Sequence, residues 1–146
     1  MPGDRQDDPA EVAVRTAAAM ERADAAARSA GVRLIDVGPG RARVGMTVDE
    51  RHVNGHGICH GGYVFLLADA ALAYASNSHG TSAVAAGADI VFLRPVPSGT
   101  QLVAEAVERA MAGRSGLYDV TVRAGDDTVA EFRGRTRQVP GLAPPT

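Results

Sequence analysis

No lysine occurs in the 146 residues; all 15 basic side chains are arginine. A chain without lysine forms no Schiff base with pyridoxal phosphate or with a carbonyl substrate. Nor can it complete a phosphate-binding loop of the lysine-containing kind. Cys59 is the single cysteine, which excludes an intrachain disulfide and an all-cysteine metal site. Tryptophan is absent and aromatic residues make up 4% of the chain. There is no block of one charge sign, and the net charge is −2, so nothing points to a nucleic-acid partner. No apolar run approaches the ~20 residues needed to cross a bilayer. The polar, acidic start from Met1 to Asp8 is unlike a secretory signal. A cytoplasmic protein with no membrane partner is expected.

What is present reads as one domain. Residues 1–8 are predicted as a disordered leader, 9–139 as the domain and 140–146 as a loose, proline-rich tail. Pro9 suits the first position of an alanine-rich helix running to about Ser29, and Gly31 suits its stop. A hairpin is predicted next, from Val32 to Val37 and Arg41 to Val48, with Ala42, Val44 and Met46 alternating against Arg43, Gly45 and Thr47. After a glycine- and histidine-rich loop, a helix is predicted from about Gly61 to Asn77. It is apolar nearly all round, as a buried helix is. Four strand segments follow: 83–94, 101–111, 117–124 and 128–139. Their short separators predict an antiparallel meander. The whole is an α+β layout, an antiparallel sheet of five to six strands curled around one long helix, with an extra N-terminal helix.

Chemistry concentrates just before the buried helix, in Asn54-Gly55-His56-Gly57-Ile58-Cys59-His60-Gly61-Gly62. A helix N-terminus offers unpaired N–H groups and partial positive charge. Gly61 and Gly62 therefore read either as an oxyanion-binding pair or simply as a tight loop-to-helix turn. Asp69 lies in the most apolar stretch of the chain, where an unpaired carboxylate is costly. With no arginine between Arg51 and Arg94, no salt bridge along that helix is available. Such a carboxylate tends toward a raised pKa and can serve as base or nucleophile. Eight residues separate Gly61 from Asp69, about 12 Å of helical rise. One chain therefore cannot present both to a single carbonyl. If both act on one substrate, the aspartate comes from a second subunit whose helix runs antiparallel, and two equivalent sites form per dimer.

Rival readings use the same residues. Cys59-His60 could be a nucleophile and its base, but adjacent residues rarely align for that. His52, His56 and His60 repeat every four residues, yet Gly55 and Gly57 argue against a helical metal face. No metal and no cofactor is expected. Arg133, Arg135 and Arg137 share one strand face; they read equally as contacts for the phosphates of a ligand or as a charged guard against edge pairing.

His60-Gly61-Gly62, with Asp69 nine residues after the histidine and Phe92-Leu93-Arg94-Pro95 further on, resembles the hotdog-fold acyl-CoA thioesterases. It is most similar to their phenylacetate-degradation branch, over about residues 32–138. The resemblance implies a dimer or dimer of dimers and metal-free hydrolysis of an aromatic acyl-CoA such as a phenylacetyl or hydroxyphenylacetyl thioester. It makes Asp69 the base or nucleophile and the Gly61 amide the group that polarises the carbonyl. Asn54, His60, Gly62, Arg94 and Arg133 become candidate substrate contacts. The chain departs from the family where a serine or threonine often follows the position of Val84. Ala85 and Ala86 stand there, so Asp69 orients the water alone or Asn54, Thr81 or Ser82 substitutes. A non-catalytic acyl-CoA binder and a hotdog hydratase are the alternatives; Asp69 in mid-helix argues against both.

Overall fold

A computed structural model describes residues 6–145. The chain order is α1 (Pro9–Ala23), α2 (Ala25–Ala30), β1 (Arg33–Gly38), β2 (Arg41–Thr47), α3 (Gly61–Asn77), β3 (Ala83–Phe92), β4 (Gln101–Ala112), β5 (Ser115–Ala124) and β6 (Asp127–Gln138). Residues 1–5 of the predicted leader, and Thr146, lie outside the described residues. Asp8 accepts from the Ala10 N–H and caps α1, with Pro9 at the first helical position as expected.

The predicted single N-terminal helix is in fact two. Asp24 breaks it by leaving helical geometry (φ −83°, ψ 87°), and its carboxylate takes the Ala27 N–H at 2.9 Å. An aspartate competes for backbone donors in this way, so the alanines around it do not decide the outcome. Gly31 ends α2 in the left-handed region.

All six strands form one antiparallel sheet in the order β1-β2-β4-β5-β6-β3. The predicted four-strand meander holds only for β4, β5 and β6. β3 lies at the far edge against β6, and β4 pairs with β2. The separator at 95–99 is therefore a return across the end of the sheet, not a hairpin turn. The long helix between β2 and β3 carries the chain across the sheet, which leaves the place beside β2 free for β4.

α3 packs against all six strands. One row across the inner face runs in register through Leu34, Val44, Ala104, Val122, Ala130 and Phe92. Small residues in such rows bring the helix close; at Gly134 an added Cβ would meet Leu72 at 2.7 Å. Leu67 and Leu72 are fully buried, each contributing about 1.5–3 kcal/mol by that burial. On the outward face Asp36 pairs with Arg41 and Arg43, and Asp119 with Arg109 and Arg133. Among the described residues no helix is long and apolar enough to cross a membrane.

Candidate active site

The loop ahead of α3 is held by a histidine. His52 is fully buried; its Nδ1 accepts the Asp49 N–H at 3.0 Å and its Nε2–H donates to the Ala30 carbonyl at 2.7 Å. Its ring meets Tyr63 edge-on, centroids 4.9 Å apart. Further along, the His60 N–H donates to the His52 carbonyl and the Cys59 N–H to the Val96 carbonyl, each at 2.7 Å. Asn54 Oδ1 accepts from His56 N–H at 2.9 Å, closing the 54–58 turn. With His52 buried and His60 exposed at the helix cap, the three histidines play separate roles.

At the helix start, His60 is extended (φ −62°, ψ 134°) and its Nδ1 accepts from the Gly62 N–H at 3.2 Å. Tyr63 and Val64 donate to the His60 carbonyl. The expected glycine pair is thus divided. Gly62 is spent on the cap, while the Gly61 N–H has no acceptor among the described residues.

Gly61 lines a cavity of about 350 Å³ together with Asn54, Ile58, Val64, Phe92 and Val129, with Cys59 and Arg94 also on its wall. An added Cβ on Gly61 would lie 3.0 Å from Phe92 Cζ and 3.4 Å from both Cε atoms, so the ring meets the glycine tip first. The backbone nitrogens of Leu93 and Arg94 both donate to the Val129 carbonyl, and the Arg94 guanidinium donates to the Thr128 carbonyl. The Asn54 NH₂ makes no hydrogen bond among the described residues, which leaves a second donor at the cavity. Burial pushes the Cys59 thiol up, which disfavours its nucleophilic form.

Asp69 is half-buried on the same unbroken helix, outside this cavity. Among the described residues it makes no hydrogen bond and no ion pair. Burial raises its carboxyl pKa, and the charge of Asp24 adds to the effect. Arg133 is not brought to the cavity. It grips Asp119 on the outer sheet face through two hydrogen bonds, at 2.7 and 2.9 Å. Together with Arg109, Arg133 holds the Asp119 pKa down at about 2. Of the residues that could replace the missing hydroxyl, Asn54 lies beside Gly61, whereas Thr81 and Ser82 follow the opposite end of α3. Sequence reading missed the support given by His52 and the contact of Phe92 with Gly61. The Phe92-Leu93-Arg94-Pro95 run was the available signal for the second.

A six-stranded antiparallel sheet around one long helix is the layout of hotdog-type thioesterases. The family model described as Thioesterase superfamily matches residues 56–131, and the chain belongs to that superfamily. It is accordingly a thioester hydrolase. The acyl-coenzyme A thioesterase PaaI of Escherichia coli (strain K12) is 44% identical over 128 residues, covering 87% of this chain and 91% of that protein. The solved E. coli PaaI protein from the phenylacetic acid degradation operon superposes with a TM-score of 0.89 at 41% identity, over 92% of this chain and 99% of that one. A variant of the phenylacetic acid degradation protein PaaI from Thermus thermophilus gives 0.75 at 34% identity, over 77% and 97%.

Proposed function

We propose that this protein hydrolyses arylacetyl-CoA thioesters, phenylacetyl- or hydroxyphenylacetyl-CoA, to the free acid and CoA in the cytoplasm during phenylacetate catabolism. The observation that carries the mechanism is the free Gly61 N–H beside an apolar cavity, with a carboxylate of raised pKa on the same helix. The names of its relatives support the substrate class. In this reading the thioester carbonyl accepts from the Gly61 amide, which stabilises the charge that develops on oxygen. Asp69 supplies the other half of the chemistry, either by taking a proton from the attacking water or by attacking the carbonyl itself. Asn54 and Arg94 contact the substrate at the cavity, and His60 positions the glycine turn.

The distance along α3 requires the two halves to come from different chains. A feature of the sheet supports that assembly. β3 is an edge strand with Asp89 as its only charged residue, and Val84 and Val91 on it are exposed. An edge so poorly guarded is suited to pair with a second copy. Antiparallel pairing of two β3 strands about a twofold axis would set the two α3 helices side by side in opposite directions.

Subunit mixing tests this. Asp69→Ala and Gly61→Val chains, each inactive alone, are refolded together and assayed for thiol release from phenylacetyl-CoA. Equal mixing makes half of the dimers mixed, and each of these carries one intact site of two, so about a quarter of wild-type activity is expected. Mixed dimers that form and stay inactive would sink the shared site.

A further inference from the structure

The chain holds six aromatic residues, three phenylalanines and three tyrosines, and five of them have clear structural employment. Tyr63 stacks edge-on against His52, and Phe65 against Phe132 at 5.2 Å between centroids. Tyr74 is buried, and the buried Tyr118 donates its hydroxyl to Glu108 at 2.8 Å. Among the described residues Phe92 alone has neither a ring partner nor a covering. It is 52% exposed, on the wall of the cavity that holds Gly61. In a protein this short of aromatics, a large apolar ring left half in water is a cost that the fold does not recover.

Its position is nevertheless fixed. Phe92 is the last residue of β3, paired with Ala130, and the next two backbone nitrogens are tied to Val129. The ring tip rests where a Gly61 side chain would begin. The Gly61 nitrogen is bonded to that same α-carbon, so a carbonyl that accepts from its N–H lies beside the ring. In an arylacetyl thioester the aryl ring is one methylene away from that carbonyl. Val64, Val96, Val129 and Ile58 complete an apolar wall around the same space.

We infer that Phe92 is the specificity-determining residue of this thioesterase, an unpartnered ring against which the aryl group of the substrate packs. The inference rests on the reading that Gly61 receives the thioester carbonyl. A linear acyl chain of the same carbon number would fill the cavity but offer no second ring, and aromatic pairs gain an orientation-dependent attraction beyond the area they bury.

The test compares kcat/KM for phenylacetyl-CoA and octanoyl-CoA, which have equal acyl carbon counts. It uses the wild-type protein and Phe92→Ala, Phe92→Leu and Phe92→Tyr. The wild type should favour the aryl substrate. Phe92→Ala and Phe92→Leu should lower that preference by about two- to tenfold, and Phe92→Tyr should keep it. Phe92→Leu retains an apolar side chain of similar reach, so it carries the test if the alanine variant folds poorly. Equal losses on both substrates, or an unchanged ratio, would assign the ring to the thiol arm or to structure and overturn the inference. Failure of the underlying reading has its own signature: full turnover by Gly61→Val.

Discussion

The two ends of α3 treat their backbone groups in opposite ways. At the C-terminal end polar side chains engage the last turn. The Asn77 Nδ2 donates to the Ala73 carbonyl at 2.9 Å and the Ala83 carbonyl at 3.1 Å, while its Oδ1 accepts the Ala83 N–H at 3.0 Å. Ser78 Oγ donates to the Ala75 carbonyl and accepts from the Gly40 N–H. This end fastens the helix to β3 and to the β1–β2 turn. At the N-terminal end His60 takes the Gly62, Tyr63 and Val64 N–H groups and, among the described residues, leaves the Gly61 N–H without an acceptor beside a cavity. A helix needs only one end secured to hold its position; the other can be kept for a ligand.

The largest expected effect lies between the two ends. Asp69→Asn should lower kcat by orders of magnitude, because it keeps the shape and removes the base or nucleophile. It should also raise the melting temperature at neutral pH. A carboxyl whose folded pKa is raised is destabilising in its charged form, and that penalty is fully present above the folded pKa. An active Asp69→Asn enzyme would remove this residue from the mechanism. In the wild type, the acidic limb of kcat/KM should lie above the ordinary aspartate value of 3.8.

Gly61→Ala comes next. Its Cβ would press on Phe92 at 3.0 Å, and a displacement of about 1 Å in a site can cost about a hundredfold in turnover. Adding Phe92→Leu should return part of the loss; two losses that simply multiply would separate the residues. At the closed end, Asn77→Ala should cost about 1–3 kcal/mol by urea unfolding, because it orphans the Ala83 N–H. The folded fraction should keep its kcat/KM. Lost activity at unchanged stability would show that the ends are coupled.

Two smaller effects serve as controls. Asp119→Asn should cost about 1 kcal/mol at neutral pH. The depressed carboxyl stabilises fully above 3.8 and ceases to do so as pH falls through about 2, so variant and wild type should converge there. Cys59→Ser should change turnover least; an inactive variant would revive the thiol as nucleophile.

Local pattern made α3 legible, because its apolar character begins after Gly-rich sequence and ends at a polar triplet. Strand positions were legible through alternation, as in Ala42, Val44 and Met46. Pairing was not, since the Pro-rich segment at 95–99 has the same composition whether it joins neighbours or crosses the sheet. Arg133 shows a related limit. Alternation places it on a strand face, but only the cross-strand register reveals Asp119 as its partner. Gly61 and Asp69 stood out because each departs from its surroundings. Phe92 did not, because what distinguishes it is the absence of a partner in space.

The placement of β3 also has a consequence during synthesis. Its one strand partner is β6, the last strand of the chain. At about 5–20 residues per second of translation, the Ala83–Phe92 segment leaves the ribosome several seconds before its partner strand exists. It is extended, apolar and almost uncharged, so for that interval it can be captured by the matching segment of a neighbouring nascent chain. The remedy for low yield in a cell is therefore slower initiation or a chaperone that holds this one strand, rather than a change to the finished protein's core.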